Sequence, residues 1–71
     1  MKKINVVVST LSVEVFEDIV NKFEDMGISI IEKRYDLLYH RYEIYVRLNF
    51  RQCYTVQRFV KPHNASLMII R

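Results

Sequence analysis

The spacing of apolar residues changes several times along the chain, and each change predicts a new element. Apolar and polar residues alternate over residues 4–8, which indicates a β-strand. Over residues 13–26 the apolar positions instead recur three and four apart, as on one face of a helix. Ser12 is a residue type that caps helix starts, and Gly27, the only glycine, suits the left-handed position that ends a helix.

Two further segments return to the two-residue period of a strand, residues 28–35 and 43–50. They predict a long hairpin, with an irregularity in the first strand near Ile30. The second strand places Phe50 on its buried face. The connection over residues 36–41 lacks an Asn-Gly or Asp-Gly turn, so Leu37 and Leu38 have no predicted position.

The end of the chain predicts one more helix and one more strand. Residues 51–61 have helical spacing, with Cys53 among the buried positions, and Pro62 ends the helix. Residues 65–70 form the last strand.

The resulting order is strand-helix-strand-strand-helix-strand in a single domain over residues 1–71. It predicts an α+β fold, the ferredoxin-like split βαβ arrangement, with a four-stranded antiparallel sheet and both helices on one face. Right-handed crossovers give the strand order 4-1-3-2. In architecture alone the chain resembles ACT-type regulatory domains, RNA-recognition motifs and subtilase propeptides.

The composition is that of a folded domain and excludes a membrane helix and an internal disulfide. The 71 residues are 51% hydrophobic and 27% charged, which is typical of a folded domain, and no apolar run approaches the length of a membrane helix. The single cysteine cannot form an internal disulfide, so we expect a cytoplasmic location with a reduced thiol. A chain this short has a marginal core, which favours a homo-oligomer, with a dimer as the simplest case.

Charge is divided unevenly along the chain. The net charge is +3, but the predicted first helix, residues 12–26, contains five acidic residues and one lysine. That segment therefore carries −4 and the rest of the chain +7. Such a molecule can dock its basic surface on an acidic one, including that of a second copy.

All five tyrosines fall within one 20-residue window that also contains several arginines. Tyrosine and arginine are enriched where binding energy concentrates in interfaces. We therefore predict a protein-binding surface on the hairpin, formed by Arg34, Tyr35, Tyr39, Arg41, Tyr42, Tyr45 and Arg47.

The two edge strands of the predicted sheet differ in charge. Strand two carries Glu32, Lys33 and Arg34, charges of the kind that protect an edge from pairing. Strand four has no charged residue before Arg71 and is apolar on both faces. We therefore predict self-association through Val7, Met68 and Ile70.

Together these patterns predict a non-catalytic protein-interaction module that inhibits or regulates its partner. The first alternative is a nucleic-acid-binding protein that uses the arginines of the hairpin. The second is an ACT-like sensor that binds a small ligand at the loop after strand one. No enzyme is expected. Cys53 could act as a nucleophile only with His40 or His63 as its base, and it is predicted on the buried face of the second helix, where a free cysteine packs as a small apolar residue. No metal or cofactor motif is present.

Overall fold

Four strands and two helices follow one another in the predicted order. The computed structural model describes residues 2–70. The elements are β1 (Ile4–Thr10), α1 (Val13–Asp25), β2 (Ile30–Asp36), β3 (Arg41–Leu48), α2 (Phe50–Val60), a short 3₁₀ turn (Lys61–His63) and β4 (Ser66–Ile70).

The strands form one antiparallel sheet in the order β2-β3-β1-β4. This is the predicted order 4-1-3-2 read from the opposite edge, and the predicted α+β class is confirmed. β1 and β3 pair along their whole length, and β2 and β4 are the two edges. β2 contains the expected irregularity, because the register shifts between Ile30 and Glu32.

The hydrophobic core lies between the sheet and the two helices. Its buried members come from β1, β3, both helices and the start of the loop before β2: Val6, Val8, Ile19, Phe23, Ile28, Ile44, Val46, Leu48, Val56 and Val60. Since both helices pack on the same side chains of the sheet, they cover one face and leave the other uncovered. Within residues 2–70, no helix is long and apolar enough to cross a membrane.

The ends of α1 follow the sequence signals. The Val15 amide donates a hydrogen bond to the Ser12 side chain at 3.3 Å, which caps the helix start. After the last turn Gly27 has φ of +71°, and the amide of Ile28 donates to the Phe23 carbonyl at 2.9 Å. Only a glycine adopts this left-handed conformation without steric cost, so Gly27 ends the helix as expected.

The prediction that Phe50 lies on the buried face of β3 is wrong. β3 ends at Leu48, and Phe50 is the first residue of α2, with 81% of its surface exposed. The cause is a capping box: the Gln52 amide donates to the Asn49 side chain at 2.8 Å, and the Asn49 amide donates to the Gln52 side chain at 3.0 Å. This pair ends β3 two residues before the alternating pattern does and makes Phe50 the first residue of α2.

Candidate protein-binding surfaces

The sheet face opposite the helices, here called the open face, has an apolar centre. Met68, Val7 and Tyr45 lie side by side across β4, β1 and β3 in one register row, with Glu32 of β2 at its end. Ile70 stands next to Met68 on the same face of β4, two residues further along the strand. The three residues predicted for self-association, Val7, Met68 and Ile70, therefore share this face.

Charged side chains surround Tyr45 and are paired with one another. Arg34 forms an ion pair with Glu32, and its guanidinium lies 5.2 Å from the centre of the Tyr45 ring. The Tyr45 hydroxyl donates a hydrogen bond to Glu43 at 3.1 Å. Partial burial, the bond to Glu43 and the negative charge of Glu43 raise the pKa of Tyr45, while Arg34 opposes the shift.

Arg41 lies further along the open face, beneath Tyr39. Its guanidinium is 5.6 Å from the centre of the Tyr39 ring, and it forms ion pairs with Asp36 at 3.9 Å and Glu43 at 3.7 Å. The Nε atom is shielded from solvent and has no hydrogen-bond partner within residues 2–70, so Glu43 stabilises it by charge alone. Arg34 and Arg41 are thus neutralised by acids of the same hairpin.

The other face of the hairpin is aromatic and belongs to the helix side. Tyr35 and Tyr42 are opposite each other on β2 and β3, with ring centres 4.7 Å apart, and Tyr42 packs on Phe16 of α1 at 5.2 Å. Six of the seven predicted partner-binding residues therefore form two groups, and the seventh, Tyr39, lies in the turn between β2 and β3. Arg34, Arg41, Tyr45 and Arg47 are on the open face, whereas Tyr35 and Tyr42 face α1.

Between the two groups lies a turn with an apolar end, here called the tip: Leu37, Leu38, Tyr39 and the neighbouring Leu11. The three turn residues are 76%, 78% and 64% exposed. Leu11 is 74% exposed and follows β1, whose last residue pairs with Tyr42, so it lies beside the turn. No charged side chain interrupts this group.

The turn is held in one conformation by its own side chains. Asp36 Oδ1 accepts hydrogen bonds from the amides of Leu38 at 3.0 Å and Tyr39 at 3.3 Å. His40 adopts a left-handed φ of +52°, and its Nδ1 is 3.1 Å from the Tyr35 hydroxyl. These hydrogen bonds therefore hold the backbone that carries Leu38 and Tyr39 in one conformation.

β4 is an apolar edge, as predicted. Met68 and Ile69 are adjacent and point to opposite faces of the strand, yet they are 64% and 57% exposed. Ile70 is half-buried, as is Val7. Arg71, the only charge at this end of the sequence, lies outside the described residues.

The sequence did not indicate the tip, because Leu37, Leu38 and Leu11 belong to no periodic segment. Asp36 could have indicated the turn, because an aspartate side chain commonly accepts a hydrogen bond from the backbone amide two residues later and so fixes a turn. A large apolar pair directly after such an aspartate must then point outward.

The loop after β1 and Cys53, which were considered as a ligand site and a nucleophile, have structural roles in the described part of the chain. The hydroxyls of the loop after β1 are engaged locally, since the Ser12 amide donates to Thr10 Oγ1 at 3.2 Å and Ser12 Oγ caps α1. Burial raises the pKa of the Cys53 thiol, which makes it less nucleophilic. Within residues 2–70, no cluster of three or more His, Cys, Asp or Glu side chains could hold a metal ion.

Comparison with known proteins adds no family. No protein-family model matches the chain, and no curated protein matches it significantly.

Proposed function

We propose that the chain is a small non-catalytic protein-interaction module that self-associates through β4 and binds a protein partner through the tip. The observation that carries the proposal is the contrast between the two sheet edges. Met68 and Ile69 of β4 are both exposed, whereas the edge strand β2 is covered with charge at Glu32, Lys33 and Arg34. An uncharged edge next to an apolar sheet face is a pairing surface.

The occupant of the β4 edge is a second copy of the chain. A two-fold arrangement places β4 against β4, so that the two sheets become one and the apolar row of Met68, Val7 and Tyr45 continues across the interface. The buried residues of one copy come to ten side chains, a small core that association would extend.

The tip is the proposed contact with a different protein. Leu37, Leu38 and Tyr39 combine a large exposed apolar area with a fixed backbone, which lowers the entropic cost of binding. The partner's complementary surface is an apolar cleft, and its occupation by the tip is how the module inhibits or regulates that partner. The proposal includes a cytoplasmic location, consistent with the single free thiol.

Sedimentation velocity of nuclease-treated protein tests the self-association. We expect the wild-type chain to sediment as a dimer at high micromolar concentration and Met68→Lys to sediment as a monomer, because the lysine removes an apolar contact beside the paired edge and the lysines of the two copies repel each other. Gln57→Lys is the matched control, since it adds the same charge at an exposed position of α2 and should leave the dimer intact.

Two outcomes would contradict this half of the proposal. One is a wild-type chain that is monomeric throughout the concentration range. The other is equal weakening by Met68→Lys and Gln57→Lys, which would assign the effect to net charge and not to β4.

A further inference from the structure

The segment after Glu43 contains cations but no acids. It includes Arg47, Arg51, Arg58 and Lys61, and it has no aspartate or glutamate. Arg34 and Arg41 of the hairpin are paired with carboxylates, whereas these four cations have no ion-pair partner among the residues that the structure describes. Three of the four lie on α2 or directly after it, so unpaired positive charge is concentrated there.

The outer face of α2, here called the basic-aromatic face, combines three of these cations with two aromatic rings: Phe50, Arg51, Tyr54, Arg58 and Lys61. Arg51, Tyr54, Arg58 and Lys61 are spaced three, four and three residues apart, which aligns them along one side of a helix. All five are exposed, Phe50 by 81% and Tyr54 by 66%. Val56 and Val60 occupy the opposite, buried side.

The positive surface continues beyond the start of α2. A cavity of about 200 Å³ lies there, and its lining includes Lys3, Arg47 and Gln52 but no acidic residue. Where α2 meets α1, Lys22 of α1 places its ammonium 5.4 Å from the centre of the Phe59 ring. Lys22 thus places a positive charge on the side of α1 that adjoins α2. A polyanion bound along α2 would meet this charge before the acidic residues of α1.

We propose that the basic-aromatic face binds single-stranded nucleic acid, a function beyond the protein interactions proposed above. Cations spaced along a groove or helix hold the phosphates, and exposed aromatic rings stack on bases. The Arg58 guanidinium already lies 5.7 Å from the centre of the Tyr54 ring, so one base can contact both groups. In a duplex the base faces are already stacked and cannot contact Phe50 and Tyr54. An acidic protein helix would pair with the cations but has no bases to stack on the two rings.

Fluorescence anisotropy with a labelled oligothymidylate and a labelled oligouridylate tests the proposal. At low salt we expect binding by the wild-type chain. Arg51→Ala/Arg58→Ala should weaken it about tenfold or more and reduce the slope of log affinity against log salt by roughly 0.7 for each cation removed. Tyr54→Ala should weaken binding about fivefold or more with the slope unchanged, because it removes stacking and no charge.

The matched control removes two cations from the edge strand β2. Lys33→Ala/Arg34→Ala lowers the net charge by the same amount but leaves α2 unchanged. Its affinity for the oligonucleotide should stay within about twofold of the wild type, because cations that do not contact the nucleic acid contribute only through the long-range electrostatic field. Circular dichroism confirms that each variant is folded. Arg51→Gln/Arg58→Gln replaces the alanine pair if the latter is not folded.

Several results would overturn the proposal. These are no anisotropy change at low salt, equal weakening by the control pair, binding of duplex DNA as tight as that of the single strand, and full competition by polyglutamate at equal charge concentration. The third would indicate phosphate contacts only, and the last would indicate an acidic protein partner. Because Met68 lies on the opposite face from α2, Met68→Lys should not alter nucleic-acid affinity, which keeps this test separate from that of self-association.

Discussion

Tyr45 belongs both to the apolar centre of the open face and to the charged residues around it. Its ring completes the apolar row with Val7 and Met68, while its hydroxyl donates to Glu43 and its ring contacts Arg34. Strand alternation predicted its outward direction, since it follows the buried Ile44. The charge partners depend on cross-strand neighbours, which a sequence without known register does not define.

The raised pKa of Tyr45 leads to a prediction about alkaline titration. Burial and the Glu43 carboxylate both disfavour the phenolate, so in the folded protein Tyr45 should ionise above the ordinary value of 10.0. A pKa raised on folding gives stability that is complete below the unfolded value and is lost as pH rises through the folded value. Ultraviolet absorbance of the phenolates, measured against pH, should show Tyr45→Phe removing the component that titrates at high pH.

A second variant makes this titration specific. Glu43→Gln removes the carboxylate charge, so the Tyr45 component should move to lower pH. If Tyr45→Phe removes an early component, the proposed environment of this hydroxyl is wrong.

At the scale of elements, periodicity predicted the strands and helices, and competing local interactions decided their ends. β1 and α1 have clear patterns and clear end signals at Ser12 and Gly27, and both were predicted closely. The pattern of β3 continued through Phe50, but the capping box at Asn49 started a helix first. Side-chain capping at a strand end competes with alternation, and only the three-dimensional position of the next helix decides between them.

The turn of the β2–β3 hairpin yields a prediction about its rigidity. Asp36→Ala removes the acceptor for two amides, so hydrogen exchange at Leu38 and Tyr39 should become faster. Asp36→Asn keeps the Oδ1 acceptor and should preserve slow exchange at both amides. Unchanged exchange in Asp36→Ala would show that the side chain does not hold the tip in place, and the entropic argument for partner binding would fail.

At the scale of the whole molecule, the fold separates the three surfaces to which we assign the proposed interactions. The tip is at one end of the sheet, β4 is at one edge, and the basic-aromatic face is on the helix layer. The sequence predicted the apolar edge because β4 has no charge before Arg71. It did not predict that Arg34 and Arg41 of the hairpin are neutralised, since that depends on pairs such as Arg41 and Glu43 meeting across space.

Self-association also predicts that stability depends on concentration. A dimer that forms only from folded chains stabilises the folded state by about 2 to 3 kcal/mol when the protein is at ~100 times its dissociation constant. The Tm measured by circular dichroism should therefore rise with protein concentration for the wild type and for Gln57→Lys. It should be constant for Met68→Lys, and a constant Tm for the wild type would contradict coupling between folding and association.

The inequality of the two sheet edges limits how far assembly can proceed. β4 is the single apolar edge of each sheet, because Glu32, Lys33 and Arg34 occupy the other edge. If two copies pair through β4 as proposed, neither copy retains an apolar edge that can accept a further strand. The proposed assembly therefore ends at two copies, and the charged edge strand β2 blocks growth into a fibril without any further partner.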